Sequence, residues 1–441
     1  MKLSWTRPVG AGFALLGASW ASAIVSSPMP GADSLFPHVL VIGQMNNGTT
    51  RVTGGSVVII NHDMVLTAGH VSSGNNITNP NFVIYNGVDR FCTQQIFPPD
   101  LDGNGFPDVD IKILKFPPNT FSSWSPIAVG NVSGREVTLV GQGATGTLRA
   151  NQTGFDVLSG SHNTRRVAKN IIEGYAAVSY FNPPSYQWSA PYFELDTPNG
   201  APGIYPFAAV PNEGTFGPLD SGGAMYFSVG STPYLIGNIN FVWDGNGNYT
   251  NNFNQLLDYN DGGAGVDMND PRVRQFLTNN GISFVTLKTL SGTLSAPGVT
   301  ASRWTGADVE VTIRRSGTSQ ILESFSAKLG ANGTFNYLVT ASGTCDIFFK
   351  LPGALERALY SRNLNTNVTG QSVNLVMGDA DGDNEITNAD YSIWAFVNGA
   401  NLGEPGYDLA IDFDRDTEIT NADYSIWAFN NGQLGDLPSG P

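Results

Sequence analysis

Three side chains that together can perform nucleophilic acyl transfer lie in separate motifs of this chain. They are His70 in LTAGH, Asp110 at the start of DIKILKF, and Ser221 in DSGG. A serine hydroxyl attacks a carbonyl carbon when an imidazole removes its proton and a carboxylate holds that imidazole in the correct tautomer. These residue types predict a catalytic triad if the fold brings them together.

Asp110 is one of several candidates for the carboxylate. It follows Asp100, Asp102 and Asp108 in the stretch PDLDGNGFPDVD. The apolar alternation after Asp110 predicts a buried strand, where an orienting carboxylate must be held, and we therefore favour Asp110. The stretch also has oxygen-bearing side chains at calcium-loop spacing but no acidic residue at its twelfth position, so an incomplete calcium loop and a solvated turn are both interpretations.

The segments around these motifs resemble the trypsin-like serine protease family. The matching segments are VTGGSVVIINHDMVLTAGH from Val52, VTLVGQG from Val137, LIGNINFVW from Leu235, and PRVRQFLTNN from Pro271. They occur in the family's order, and His, Asp and Ser follow one another as in chymotrypsin-like enzymes. The resemblance covers residues 24–284 and implies a chymotrypsin-like double β-barrel that acts as a serine endopeptidase on protein or peptide substrates.

The resemblance implies that the backbone N–H groups of Leu219 and Ser221 form the oxyanion hole. The family normally has glycine at the position of Leu219, and loss of one donor lowers the rate on the order of 100- to 1000-fold. An active endopeptidase is the favoured hypothesis. A non-catalytic adhesion or scaffold protein that retains the protease fold is the alternative, and an ester hydrolase is a third.

Three further positions match the family's substrate pocket and its surroundings. Thr215 occupies the pocket floor, so no carboxylate is available there to bind a Lys or Arg side chain. Val242 replaces a glycine at the mouth of the pocket, and Asn240 replaces a serine beside the triad aspartate. We expect substrates with small or medium apolar side chains.

Residues 1–23 have the features of a secretory signal. Lys2 and Arg7 precede an apolar run, and Ala-Ser-Ala at 21–23 supplies the small residues that signal peptidase requires. In the family, a freed terminal amine pairs with the aspartate before the nucleophile, which implies a pair between Ile24 and Asp220. We predict that signal removal itself creates this terminus; the alternative is that Ile24 begins a loose leader.

Composition agrees with a secreted, β-rich protein of two or three domains. The chain has 441 residues, of which 13% are charged, and it is rich in glycine. Its two cysteines, Cys92 and Cys345, fall in different predicted domains, so we favour two unpaired thiols over one disulfide. No stretch after the signal reaches the ~18 apolar residues of a membrane span.

The segment EITNADYSIWAF occurs twice without change, beginning at Glu385 and at Glu418. Such identity implies two copies of one structural unit. Each copy places oxygen donors at the spacing of a calcium loop, with the Glu385 and Glu418 carbonyls at the seventh position. We expect about two structural calcium ions, and we expect Ile386 and Ile419 to pack the paired loops together. The predicted ligands are Asp379, Asp381, Asp383, Glu385, Thr387 and Asp390, and Asp412, Asp414, Asp416, Glu418, Thr420 and Asp423.

One helix per loop and an aspartate at the twelfth position resemble a type I dockerin module at residues 376–435, followed by a tail at 436–441. The resemblance implies a cohesin-like partner on a scaffold or a bacterial cell surface. Asn-Ala replaces the Ser-Thr pair of cellulosomal examples, which leaves the partner's identity open. The alternative is that calcium only folds a small cap.

The acidity of the chain is concentrated in this module. Residues 376–441 contain 13 acidic residues and one basic residue, and so carry −12 of the total charge of −15. The pattern fits metal ligation, and nothing in the sequence predicts nucleic-acid binding.

Residues 285–375 alternate apolar and polar residues between turn signals, which predicts a small antiparallel β-sandwich. GTLSAPG, the NGTF turn and TCDIFFKL resemble Ig- or transthyretin-like modules. We expect Trp304, Phe335 and Tyr337 to lie in its core, and not to form a carbohydrate platform. The predicted protein is mainly β, with this sandwich as a spacer before a small α-helical module.

Overall fold

The structure is a computed structural model, and it describes residues 25–26, 36–71, 80–101, 103, 107–144, 146–148, 154–157, 163–178, 187–196, 205, 207, 209–217, 219–243, 256–258 and 261–438. The chain divides into two compact units, residues 1–228 with 233–285 and residues 229–232 with 286–441. The predicted signal and Ile24 lie outside the described residues. In the described part, no helix has the length and apolar character needed to cross a membrane.

The chain up to Thr286 is built mainly of short strands, with one helix, α1 (Pro271–Asn279). The strands are β1 (Val25–Ser26), β2 (Val39–Asn46), β3 (Thr50–Asn61), β4 (Met64–Ala68), β5 (Asn81–Tyr85), β6 (Val88–Phe91), β7 (Gln94–Ile96), β8 (Ile111–Lys115), β9 (Ile127–Val129), β10 (Glu136–Gly141), β11 (Gly146–Leu148), β12 (Gly154–Val157), β13 (Arg166–Ile171), β14 (Gly174–Val178), β15 (Trp188–Glu194), β16 (Gly214–Thr215), β17 (Ala224–Val229), β18 (Thr232–Trp243), β19 (Leu256–Asp258), β20 (Gly262–Asp267) and β21 (Phe284–Thr286).

Two large sheets carry the first unit. One has the order β6-β5-β2-β3-β4-β8-β7, and the other has the order β13-β10-β17-β18-β20-β15-β14 with β9 and β21 attached. Strand β3 is buried on both faces: Val57 and Ile59 join one apolar cluster, and Val58 and Ile60 join another. This division follows from the two-residue period of a strand, so the long apolar run of β3 packs against two layers at once.

Helix α1 begins at a proline that follows a capping aspartate. The side chain of Asp270 accepts hydrogen bonds from the backbone N–H groups of Arg272 and Val273, and a proline follows the cap at the first helical position. Both features favour a helix start at this point. Val273, Phe276 and Leu277 are buried, which fixes the helix against the core of its unit.

The second unit contains two sheets, with the orders β25-β22-β29 and β24-β23-β26-β28, a short pair, β27-β30, and two helices. Trp304 and Phe335 are 1% and 3% exposed in its core, and Tyr337 packs against that core, as predicted. Its elements are β22 (Lys288–Ser295), β23 (Asp308–Arg315), β24 (Ile321–Lys328), β25 (Thr334–Val339), β26 (Thr344–Lys350), β27 (Gly353–Ala354), β28 (Arg357–Asn363), β29 (Val368–Asn374), β30 (Met377–Asp379), α2 (Asn388–Val397) and α3 (Asn421–Asn430).

The β-sandwich and the repeated segment share one hydrophobic core. Ile386, Phe413 and Trp427 belong to the same buried cluster as Trp304 of the sandwich. The Arg415 guanidinium lies over the Trp304 ring, 4.7 Å from its centroid. One unit of the structure therefore covers both predicted C-terminal domains, and the boundary at residue 376 stays a prediction.

Ile386 and Ile419, which we expect to pack the paired loops together, each join an apolar cluster that contains the tryptophan of the other repeat. Ile386 belongs to the core shared with the sandwich, whereas Ile419 packs in a separate cluster with Trp394 and Ile411. The backbone links the repeats in the same crossed way, because Glu385 bridges Leu434, which follows α3, and Glu418 bridges Asn401, which follows α2. Each loop is thus paired with the segment that follows the helix of the other repeat.

The predicted mainly β fold class is confirmed: strands outnumber helices in the described residues of both units. Cys92 and Cys345 are both buried, and no disulfide joins them.

Candidate active site and calcium loops

Strands β4 and β8 bring His70 and Asp110 together. They pair antiparallel with Ala68 opposite Ile111, so that the end of β4 meets the start of β8. Nδ1 of His70 lies 2.7 Å from Oδ2 of Asp110, and the backbone N–H of His70 donates to Oδ1 over 2.9 Å. One carboxylate therefore holds both the ring and the backbone of His70, which fixes the ring tautomer with its proton on Nδ1.

The other aspartates near this strand have different partners. Asp108 forms an ion pair with Arg272, and Asp100 accepts a hydrogen bond from the backbone N–H of Gly103. Asp102 lies outside the described residues. Of the predicted candidates that the structure describes, Asp110 is the one that contacts His70; its catalytic role stays a prediction.

Asn240 lies beside Asp110, at the position that the family resemblance gives it. Its Nδ2 donates to Oδ2 of Asp110 over 2.9 Å and to the Asp110 carbonyl over 2.5 Å. Its Oδ1 accepts from the backbone N–H of Val266 over 3.1 Å. Asn240 is buried, and both its amide nitrogen and its amide oxygen are hydrogen-bonded, so it orients the Asp110 carboxylate. These contacts do not place Asn240 in a substrate pocket.

The His70 imidazole is more basic than an ordinary histidine. Burial lowers its pKa, but the charge and hydrogen bond of Asp110 outweigh burial, and the pKa is raised. The positive charge of Lys112 acts in the opposite direction. Since the side chain is still 25% exposed, it can be reached from solvent and can hold a proton taken from a nucleophile.

The DSGG turn packs against β3 and β4. The backbone N–H of Ser56 donates to the Ser221 carbonyl over 2.9 Å. Gly222 has a φ of 87°, and a side chain there would collide with the Ser56 carbonyl and the Thr67 hydroxyl. Glycine is therefore required at this position both by conformation and by close approach.

This packing brings Ser221 to the strands that lead to His70, but the described contacts include no hydrogen bond between these two side chains. The Ser221 backbone N–H likewise has no acceptor among the described residues. In ligand-free enzymes the bond between nucleophile and base is often long and tightens when substrate binds.

Leu219 adopts the backbone conformation that glycine normally supplies. Its φ is 85°, in the left-handed region, where a residue with a side chain is strained by on the order of 1–2 kcal/mol. Its carbonyl accepts a hydrogen bond from the Ser56 hydroxyl over 3.3 Å, and the hydroxyl oxygen accepts one from the N–H of Gln142 over 2.9 Å. The turn before Ser221 is held by these bonds despite the leucine.

Asp220 is fully buried behind this turn. Its carboxylate accepts hydrogen bonds from the backbone N–H groups of Gly143 over 2.9 Å and Gly217 over 3.2 Å. Burial raises its pKa well above the ordinary value, against the opposing effects of Gly143 and Arg166. Because Ile24 lies outside the described residues, its pairing with Asp220 stays a prediction.

The predicted pocket positions lie in buried, apolar surroundings. Thr215 is fully buried, and its hydroxyl has no hydrogen-bond partner in the described part of the chain. Val242 is buried opposite Gly263. Phe216, which the sequence analysis did not select, packs edge-on against Phe193 at 4.8 Å and would collide with any side chain at position 263. A role in substrate binding stays a prediction for Thr215 and Val242.

Lys112 is a further residue near His70 that the motifs do not predict. This lysine is fully buried on β8, its ammonium group donates to the Val71 carbonyl, and it lies 5.4 Å from the centroid of the Phe97 ring. Burial lowers its pKa to about 8. A signal was present in the sequence, because a lysine falls among the apolar residues of IKILK, in a strand predicted to be buried.

The two acidic loops have the donor chemistry of calcium sites. One carboxylate oxygen from each of Asp379, Asp381 and Asp383 lies within 4.8 Å of the other two, and the same holds for Asp412, Asp414 and Asp416. Clustered carboxylate oxygens on a short loop fit a hard cation such as Ca²⁺. The predicted ligand sets therefore fit the ion at these three positions of each loop.

The remaining predicted ligands have structural partners in the loops. Asp390 accepts backbone hydrogen bonds from Ala380 and Thr387, both over 2.7 Å, and Asp423 accepts backbone hydrogen bonds from Asp414 and Thr420. Thr387 and Thr420 cap α2 and α3 with their side chains. The N–H groups of Glu385 and Glu418 donate to the acid two residues earlier, and ligation by their carbonyls stays a prediction.

A basic side chain of the sandwich contacts each loop. Nζ of Lys350 lies 2.5 Å from Oδ2 of Asp379, and Nη1 of Arg303 lies 3.3 Å from Oδ1 of Asp414. These contacts partly balance the charge of carboxylates that would otherwise repel one another.

No family model matches the chain, and no curated protein matches it. Among solved structures, it is similar to the active form of the Rv3671c protease from M. tuberculosis, with 16% identity over 59% of this chain and 90% of that chain and a TM-score of 0.36. It is also similar to a type II cohesin-X-dockerin complex from Acetivibrio cellulolyticus, with 22% identity over 34% of this chain and 97% of that chain and a TM-score of 0.28. At these TM-scores, neither likeness bears on activity.

Proposed function

We propose that this protein is a secreted serine hydrolase, and specifically an endopeptidase, attached to a partner through a calcium-dependent module. The observation that carries the proposal is the contact of Asp110 with both the ring and the backbone of His70. The Asp110 carboxylate fixes one tautomer of His70, and the neighbouring strands also hold the DSGG turn. Activation of a serine needs this arrangement.

In the proposed reaction, Ser221 Oγ attacks the peptide carbonyl carbon while His70 Nε2 takes the hydroxyl proton. Asp110 keeps the imidazole oriented and stabilises its protonated form. The N–H groups of Leu219 and Ser221 donate to the negatively charged oxygen of the tetrahedral intermediate. His70 then returns the proton to the leaving amine as the C–N bond breaks, and water releases the acyl group from Ser221 in a second cycle of the same steps.

The second candidate is a non-catalytic adhesion or scaffold protein. The observation that favours it is Leu219, which holds a strained backbone where the oxyanion hole requires a correctly directed N–H. An esterase would use the same side chains, and a set of matched ester and peptide substrates separates it from an endopeptidase.

Labelling with a fluorophosphonate probe tests the proposal. The folded protein that begins at Ile24 should be labelled, and Ser221→Ala should not be. Labelling that persists in Ser221→Ala would place the nucleophile elsewhere, and the absence of labelling in the folded parent protein would favour the non-catalytic alternative. N-terminal sequencing of the secreted form tests the start at Ile24.

We infer that the C-terminal module binds calcium and presents a surface to a cohesin-like partner on a scaffold or bacterial cell surface. Calcium would supply positive charge to the two acidic loops. The supporting observation is that Phe396 and Phe429, at the same position in the two repeats, are 91% and 81% exposed. Large apolar side chains exposed in equivalent positions favour protein contact.

An immobilised purified cohesin domain tests this inference. Binding should require calcium, and it should weaken at least about tenfold in the double variant Phe396→Ser with Phe429→Ser, because exposed aromatic side chains are frequent contributors to binding. Leu437→Ser is the control, since Leu437 is 70% exposed but lies outside the helices. Calcium uptake without binding would favour a cap that calcium only folds.

A further inference from the structure

Two side chains hold the turn that carries His70: Asp110, in the bend before strand β8, and Lys112, within the strand. Asp110 contacts His70, and the ammonium group of Lys112 donates to the carbonyl of Val71, the next residue. Two consecutive residues of the turn, His70 and Val71, are thus held by Asp110 and Lys112.

Lys112 is an unexpected residue at this place. Its side chain is fully buried, and a lysine that is removed from water is unfavourable unless it gains strong interactions. The hydrogen bond to Val71 and the Phe97 ring below the ammonium group provide two of them. An apolar side chain would fill this strand position more simply, which points to a role for the charge or for the hydrogen bond.

The charge of Lys112 reaches the proposed catalytic pair. The groups that act on His70 are Asp110, which favours its protonated form, and Lys112, which opposes it. The groups that act on Lys112 are Asp110 and Cys92. The neighbouring strands β4 and β7 add no titratable side chain, because they consist of MVLTA and QQI.

We propose that Lys112 is a positioning residue for His70: its hydrogen bond to Val71 anchors the turn that carries the imidazole, and its positive charge opposes protonation of the ring. The proposal rests on the proposed serine hydrolase function. Without this charge, more of the His70 side chain is protonated at neutral pH and unable to act as a base.

The pH dependence of fluorophosphonate labelling separates the two effects. Lys112→Met removes both the charge and the donor, so the midpoint of the rising limb should move up by about half a pH unit and the plateau rate should fall about tenfold. Lys112→Gln keeps a donor without the charge, and it should show the upward shift with a smaller loss of plateau rate. Lys115→Met, on the same strand, is the control and should match the parent protein.

A residue with only a structural role would lower the melting temperature and leave the labelling profile of the folded protein unchanged. Unshifted midpoints in both Lys112 variants would therefore overturn the proposal, and Lys112→Gln supplies the test if Lys112→Met does not fold. An NMR titration of the His70 imidazole in the parent protein and Lys112→Gln needs no activity. If the parent protein is not labelled, the hydrolase proposal fails, whereas an equal His70 pKa in the two proteins overturns this inference by itself.

Discussion

Both carboxylate oxygens of Asp110 contact His70, one at the ring Nδ1 and one at the backbone N–H. The first contact sets the tautomer and the second sets the position of the chain. Gly69 makes this approach feasible, since any side chain at that position would lie 2.8 Å from the carboxylate. The short LTAGH motif thus supplies both the imidazole and the space in which it is held.

Replacing Asp110 with asparagine should leave the fold intact and lower the fluorophosphonate labelling rate by on the order of 1,000- to 10,000-fold, because the amide favours the wrong His70 tautomer. Labelling kinetics measured with circular dichroism on the same samples provide the test. Asp89→Asn is the matched control, since Asp89 forms its ion pair with Arg51. A similar rate loss in both variants would contradict the assigned role of Asp110.

Replacing Leu219 with glycine should relieve backbone strain and raise the free energy of unfolding by about 1 kcal/mol, less the lost packing of the leucine. The labelling rate should stay equal or rise, because the φ of 85° becomes unstrained. Leu219→Ala is the control, as it loses the packing and retains the strain. Urea denaturation and labelling kinetics measure both effects, and a large rate loss in Leu219→Gly would show that leucine itself is required.

The labelling rate should rise with pH through a midpoint above the ordinary histidine value of about 6.5, because Asp110 raises the His70 pKa and the neutral ring is the base. Asp110→Asn should lower that midpoint. The free energy of unfolding depends on pH in the opposite direction. Because the His70 pKa is higher in the folded state, protonated His70 stabilises the fold fully below about pH 6.5, and this contribution is lost as pH rises through the folded-state pKa. NMR titration of His70 measures this pKa, and a value below 6.5 would contradict the interpretation.

Calcium should bind with a stoichiometry of two ions and stabilise the second unit, by about 2.7 kcal/mol for each site when free calcium is 100 times that site's dissociation constant. Asp379→Ala with Asp412→Ala should abolish both effects, since each removes the first ligand of a loop. Native mass spectrometry counts the ions, and thermal unfolding followed by tryptophan fluorescence gives the stability. The control is Asp308→Ala, an exposed acid of the sandwich; unchanged ion binding in the double variant would contradict the ligand assignment.

Local patterns in the sequence were sufficient to predict much of this fold. Helix α1 follows from a capping aspartate and a proline, and the buried strand after Asp110 follows from its apolar residues. The pairing of Asp110 with His70 could be predicted because both belong to motifs with known flanks. In each case, the information lies within a few residues of the feature.

Features that depend on packing between distant segments could not be predicted in this way. The two repeats are identical in sequence, yet Trp427 joins the sandwich core while Trp394 packs in a separate cluster. Neither repeat alone indicates which one the sandwich covers. Lys112 was overlooked for a related reason: its acceptor, the Val71 carbonyl, is distant in sequence and carries no side-chain signal.

The most direct test of the central claim is fluorophosphonate labelling of the secreted protein, with mass spectrometry to identify the labelled residue. We predict a single label on Ser221, absent in Ser221→Ala and formed at a greatly reduced rate in His70→Ala. A folded protein that takes up no label, or that takes it up at another residue, would contradict the claim that His70, Asp110 and Ser221 act as a catalytic triad.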